Sequence, residues 1–166
     1  MAAARGRVKN PKDCHERALG LLAVRPRSRQ ELDRRLTGAG FEREEVDDVL
    51  GRLEGVGLID DLAFAQQLAA HQFNNKRAGS RAVASALAAK GVTRSVSDEV
   101  LEGASLGDEE RAVELAVSKA MRMRGLAPEK AYARLVGLLA RRGYGPGIAR
   151  SAARRALDLQ ANEDEG

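Results

Sequence analysis

Three ten-residue stretches decide the fold: LDRRLTGAGF at residues 32–41, VASALAAKGV at 83–92 and LVGLLARRGY at 135–144. Each holds Leu or Val, a Leu four residues on, a Gly four further on, and then a large apolar residue. The glycines Gly40, Gly91 and Gly143 lie 51 and 52 residues apart. A spacing of four and four places the apolar side chains on one stripe of a helix, and the glycine after them suits a left-handed C-terminal cap. The match continues downstream as Val49-Leu50 and Val100-Leu101, and weakens to Ala152-Ala153 in the third copy. A pattern recurring at a fixed period of this size is the mark of tandem repeats.

Outward from these stretches, each copy reads as three helices. In the first, Asp13 to Val24 carries Cys14, Ala18, Leu21 and Leu22 on one face, and Pro26 breaks the chain. Ser28-x-x-Glu31 has the form of a capping box opening the second helix, which ends at Gly40. The third, Glu42 to Glu54, turns Val46, Val49, Leu50 and Leu53 inward. The second copy opens at Asp60-Asp61, acids suited to an N-cap and first turn, and runs through Phe64, Ala65, Leu68 and Ala69. Ser80 is expected to cap its middle helix, and a short helix from Ser95 to Glu102 follows. The third copy opens at Asp108-Glu109-Glu110 and presents Ala112, Leu115, Ala116, Ala120 and Met123. Pro128 sits at the first position of its next helix, and Gly145-Pro146 opens the last, with Ile148, Ala152, Ala156 and Leu159 as its buried stripe.

The expected architecture is therefore all-α: three tandem three-helix repeats forming an elongated, curved helical solenoid. The divisions are a basic flexible N-terminus at 1–12, repeats at 13–58, 59–105 and 106–160, and an acidic disordered tail at 161–166. A unit of about fifty residues is marginal alone, because a small domain leaves too much of its surface in water; units in series cover one another's ends.

Composition agrees. Of 166 residues 43% are apolar but only 3% are aromatic and Trp is absent, so the core is built of Leu, Val and Ala, which suits packed helices. No uncharged apolar stretch approaches the 18 residues of a membrane span. Met1 to Lys12 is Ala-rich and basic without an apolar region, unlike a secretory signal. The single Cys14 cannot form an intramolecular disulfide, which fits a cytoplasmic protein.

The net charge of +4 is an average over unlike parts. Residues 1–60 hold 12 bases and 11 acids, and residues 61–106 hold 5 and 4. From Lys119 to Arg155 there are ten bases and one acid, Glu129, a net +9 over 37 residues. Solvated helix faces usually mix signs, so this run points to an anionic partner, a nucleic-acid backbone or an acidic protein groove. The candidate binding residues are Lys119, Arg122, Arg124, Lys130, Arg134, Arg141, Arg150, Arg154 and Arg155. A secondary patch is Arg25, Arg27, Arg29, Arg34 and Arg35, diluted by Glu31 and Asp33. Arg142 points to the apolar stripe and is expected to cap the last carbonyls of its helix. Few aromatics are free for stacking, so a grip on DNA would be electrostatic and indifferent to sequence.

Catalytic patterns are missing. There is no G-x-x-x-x-G-K-S/T, H-E-x-x-H, C-x-x-C or G-x-S-x-G. Adjacent helical acids such as Asp47-Asp48 diverge and make poor metal ligands, as do Cys14 and His15. No enzyme, cofactor or metal site is expected.

Residues 57–92, GLIDDLAFAQQLAAHQFNNKRAGSRAVASALAAKGV, resemble the signature region of the RecX family. The resemblance rests on Gly57-Leu58-Ile59-Asp60-Asp61, Phe64-Ala65, Gly79 and Leu87-x-x-Lys90-Gly91-Val92, and in the first copy on Ala18-Leu19-x-Leu21-Leu22, Arg25-x-Arg27-Ser28-x-x-Glu31-Leu32 and Leu36. It spans about residues 14–157. The chain departs from the family pattern after Ala65, with Leu68, His71 and Gln72 where an aromatic or branched residue and then Arg are usual. The resemblance implies a cytoplasmic, monomeric modulator of the RecA recombinase. It would bind RecA and RecA–DNA filaments and inhibit their ATPase, strand-exchange and co-protease activities in DNA repair and the SOS response. A different reading is a sequence-specific winged-helix transcriptional regulator built on Ser28 to Asp61. That reading needs a β-hairpin wing where the chain has Asp60-Asp61-Leu62-Ala63-Phe64-Ala65, which carries neither alternation nor a hairpin turn.

Overall fold

The computed structural model of the protein describes residues 13–164, so the basic segment 1–12 and the last two residues of the acidic tail lie outside the described residues. Within them the order is α1 (Cys14–Val24), α2 (Arg29–Gly38), α3 (Arg43–Gly55), α4 (Asp61–Asn74), α5 (Ser80–Ala89), α6 (Arg94–Leu101), α7 (Asp108–Ala120), α8 (Pro128–Arg141) and α9 (Pro146–Asp164). Short 3₁₀ turns at Ala104–Gly107 and Met121–Met123 complete it, and no strand occurs among the described residues. The stretch after Ile59, where a wing would have to lie, is helix α4. Among the described residues no helix is long and apolar enough to cross a membrane.

The three repeat stretches form the middle helices α2, α5 and α8, and all three end alike. Phe41 N–H reaches Leu36 O (3.3 Å), Val92 N–H reaches Leu87 O (3.1 Å) and Tyr144 N–H reaches Leu139 O (3.1 Å). The glycines between have φ of +94°, +78° and +88°. This is the Schellman ending, in which a left-handed residue satisfies the last carbonyls. The apolar residue after each glycine is thereby folded back toward the core.

Each unit has its own core. Leu32, Leu36, Val46, Leu50 and Leu53 fill the first with Cys14, Ala18 and Ile59; Ala65, Val83, Leu87 and Val92 fill the second. Ile59 therefore packs with the first unit, one residue beyond the expected boundary at 58. The third packs α7 against α9 through Ala112, Ala116 and Ala120 on one side and Ala149, Ala152, Ala153 and Ala156 on the other. Small side chains at that contact let the two helices approach closely. The buried face of α9 is consequently centred on Ala149, Ala152, Ala153 and Ala156, and Leu159, expected inward, is exposed.

The tail differs from expectation as well: α9 remains helical to Asp164, where disorder was expected from 161. Gln160 Nε2 donates to Ala120 O (3.3 Å), and Arg124 pairs with Glu163 (3.6 Å), tying the end of α9 back to the third unit.

Two joints link the units, and they are built alike from helix ends. At the first, Ser28, the N-cap of α2, donates its hydroxyl to the Lys90 carbonyl at the end of α5, and Arg29 N–H donates to Asp61 Oδ1 (2.8 Å) at the start of α4. At the second, Gly79 N–H donates to Arg142 O (2.8 Å) at the end of α8, and Ser80 N–H donates to both Asp108 oxygens (3.1 and 3.2 Å) at the start of α7. In both, the N-terminus of one middle helix meets the C-terminus of the next, and an acid of the following unit takes up an otherwise unpaired amide. The N-cap of α5 is accordingly Gly79, not Ser80: a Cβ on residue 79 would stand 2.6 Å from the Gly143 carbonyl oxygen. The Ser80 hydroxyl, displaced from capping, bonds Asp108.

Candidate nucleic-acid and partner interface

The joint chemistry also decides which cations are available. In the first unit Glu31 accepts Ser28's capping arrangement only in half: its amide donates to Ser28 Oγ (3.1 Å), while its carboxylate turns to arginines. Arg25 and Arg27 both bind it, with Arg25 Nη1 at 3.1 Å, and Arg35 Nε stands at 3.3 Å. Arg27 is 7% exposed and also donates to Leu21 O (3.0 Å). Burial pushes the Glu31 carboxyl up, and the bonds and charges of Arg25 and Arg27 more than reverse it, leaving it below its ordinary value. Arg29 faces Glu54 (3.2 Å) and Asp47 (3.6 Å) on α3. Arg34 donates to Gln30 Oε1 (2.9 Å) and is exposed. The secondary patch is thus largely an internal network. Glu31 is visible within the run itself, whereas Asp47 and Glu54 come from the neighbouring helix, which a count along the run does not see.

In the third unit the picture is different. Lys130, Arg134 and Arg141 are exposed on α8, and Arg150, Arg154 and Arg155 on α9. Arg134 and Arg141 line a shallow cleft of about 540 Å³ with Met123, Ala133, Gly137 and Leu138. Arg154 lies 5.9 Å from the Tyr132 ring, and Arg124 pairs with Glu163. Lys119 and Arg122 are not with these. They line a separate cleft of about 350 Å³ at the second joint, together with Asn75, Arg77, Leu115, Ser118 and Arg142.

Two residues of that cleft, Arg142 and Arg77, are not among the candidate binding residues read from the sequence. Arg142, expected to cap its own helix, instead donates to the Lys76 carbonyl of the preceding unit. Arg77 lies in the connection from α4 to α5, and its backbone is left-handed at φ +49°, an uncommon conformation for a residue with a side chain. Tyr144 Oη donates to its carbonyl (3.0 Å), and Arg77 Nη1 donates to Ser118 Oγ (3.4 Å). Burial chiefly raises the Tyr144 hydroxyl's pKa, so it remains a donor. The sequence did carry a signal for Arg77: residues 62–97 hold five bases and no acid, which the count of five bases and four acids over 61–106 conceals.

Two buried polar groups serve packing and the joints. Burial, then the charges of Glu45 and Asp13, push the Cys14 thiol up to about 11, so at neutral pH it is a packed apolar group. The buried Asp108 accepts from Ser80 and from Arg111 (2.7 Å), so its carboxylate is taken up in holding the second joint.

Comparison with known proteins bears on all three units. Family models described as the first, second and third three-helix domains of RecX match residues 14–53, 60–101 and 107–153. The regulatory protein RecX of Streptomyces coelicolor is 36% identical over 160 residues, covering 93% of this chain and 85% of that one. The protein of the same name from Mycobacterium avium is 41% identical over 133 residues, covering 79% and 77%. The crystal structure of RecX from Lactobacillus salivarius superposes with a TM-score of 0.75 at 21% identity, over 88% of this chain and 95% of that one.

Proposed function

Because the chain belongs to the RecX family of regulatory proteins, we propose that it binds the RecA recombinase on its DNA filament and inhibits the filament's ATPase, strand-exchange and co-protease activities. It would do so in the cytoplasm, as a monomer, during DNA repair and the SOS response. The observation that carries the reading is the contrast between units. Arg25, Arg27, Arg29 and Arg35 of the first are committed to Glu31, Asp47 and Glu54, while Lys130, Arg134, Arg141, Arg150 and Arg155 of the third stand exposed without an ion pair among the described residues. Uncompensated cations on rigid helices attract anions over several ångströms and hold a phosphate backbone without reading bases.

In this mechanism the third unit anchors the chain to filament phosphates or acidic RecA surface. The row of units then lies across neighbouring filament subunits and opposes their turnover. The test is a titration of RecA–single-strand ATPase with the chain and with a variant carrying Arg134→Glu, Arg141→Glu, Arg150→Glu and Arg154→Glu. The reading expects inhibition by the first and its loss in the second, with unchanged helical circular dichroism. Undiminished inhibition by the variant would remove the proposed anchor.

A further inference from the structure

Resting on that regulatory reading, we propose that the cleft at the second joint binds one phosphodiester of a nucleic-acid strand, gripped between two units by Arg77, Lys119, Arg122 and Arg142. The four cations line one cleft with Asn75 and Ser118 and without a carboxylate, and among the described residues none of the four is in an ion pair. Two of the guanidinium groups are held by neutral acceptors: Arg77 by the Ser118 hydroxyl (3.4 Å) and Arg142 by the Lys76 carbonyl. A neutral acceptor orients a guanidinium and leaves its charge uncancelled, the opposite of what Glu31 does to Arg25 and Arg27. The remaining N–H groups of such forks match phosphate oxygens.

The backbone at Arg77 supports the same reading. Its left-handed φ of +49° is held by Tyr144 Oη on its own carbonyl and by the flanking bonds Ala78 N–H to Gln72 O (3.0 Å) and Gly79 N–H to Arg142 O (2.8 Å). Glycine would adopt this conformation without strain. What the arginine adds, beyond the long contact to Ser118, is a cation at the mouth of the cleft. Strain of this kind, fixed by surrounding bonds, is a recurrent mark of functional positions.

The ligand is a backbone, not a base: no aromatic residue lines the cleft, so nothing there stacks. It is a repeating anion, because two acid-poor stretches meet here, five bases without an acid over 62–97 and ten with one acid over 119–155. A bound phosphodiester would tie the α4–α5 connection to α7 and α8, and so tie the second unit to the third.

The experiment follows fluorescence anisotropy of a labelled 20-nucleotide oligo-dT with the full chain across a salt series. Arg77→Gly removes the charge and the strained φ together. It is expected to melt no lower than wild type, to bind about tenfold more weakly, and to lower the slope of log affinity against log salt by about 0.7. Arg122→Gln, at an exposed position, is expected to weaken binding and lower the slope in the same sense. Unchanged affinity and slope in both variants would overturn the cleft while leaving filament regulation untouched. Absence of oligo-dT binding by the wild type would also overturn it, whereas loss of RecA inhibition alone would not. Poly-glutamate whose binding falls in Arg77→Gly while that of oligo-dT does not would assign the cleft to an acidic protein and overturn the proposal.

Discussion

Replacing Gly143 and Gly40 by alanine, one at a time, isolates the tightness of a joint from the cost of a left-handed residue. Both glycines sit in the same Schellman ending, at φ +88° and +94°. Forcing alanine into that region costs about 1–2 kcal/mol in each. An ideal Cβ on residue 40 meets nothing within 4 Å. One on residue 143 stands 2.4 Å from Ala82 Cβ and 2.5 Å from Ala82 N, at the start of α5. Neither neighbour is a flexible side-chain end, so the joint itself must open, at a further cost of about 1–3 kcal/mol typical of overpacking. Gly91→Ala is expected between the two, since its Cβ would meet the movable Gln30 side chain. Urea unfolding followed by circular dichroism measures the three. Equal destabilisation at positions 40 and 143 would refute the tight joint and, with it, the placement of the second unit against the third.

Asp108→Ala strips the acceptor from Ser80 N–H and leaves Arg111 without its carboxylate, and is expected to destabilise by about 3 kcal/mol in the same urea assay. Glu31, whose folded pKa is lowered, contributes stability that is fully present above its unfolded value near 4.5 and lost as pH falls through the lower folded value. Stability measured from pH 6 to 3 should therefore fall less steeply in Glu31→Gln, which is already weaker at pH 6; identical slopes would discount the arginine cage. Cys14, raised to about 11, is expected to react with iodoacetamide at pH 8 about a hundredfold more slowly than a free thiol, and to go on accelerating past pH 10. A rate that levels off near pH 9 would show the thiol to be open to water.

Much of the fold is legible in the sequence because its signals are local. The four-and-four spacing into Gly40, Gly91 and Gly143 marks helix, cap and period together, and all three endings form as the spacing requires. Pro128 and Pro146 start their helices where a missing N–H does no harm. What is illegible is set by contacts between distant segments. Ser80 has a capping side chain and sits after Gly79, yet the neighbouring Gly143 carbonyl leaves room only for glycine at the cap, and the serine turns to Asp108. Leu159 fits the apolar period of α9, but the close alanine contact with α7 rotates the buried face toward Ala149 and Ala153.

The candidate site divides in the same way. Exposure of Lys130, Arg134, Arg141, Arg150 and Arg155 follows from helical position and could be read along the chain. The pairing of Arg29 with Glu54, 25 residues away, and the meeting of Arg77 with Arg122 and Arg142 depend on how helices and units pack. Charge counted along a chain reports composition, and only the folded arrangement shows which charges cancel.

The most direct test of the account is the DNA-dependent ATPase of RecA on single strands, titrated with the full chain from nanomolar to micromolar concentration. Binding along the filament requires a progressive fall in turnover, weakened by added salt as phosphate contacts are lost. Turnover that stays constant through the micromolar range, with the chain folded and helical, would contradict it.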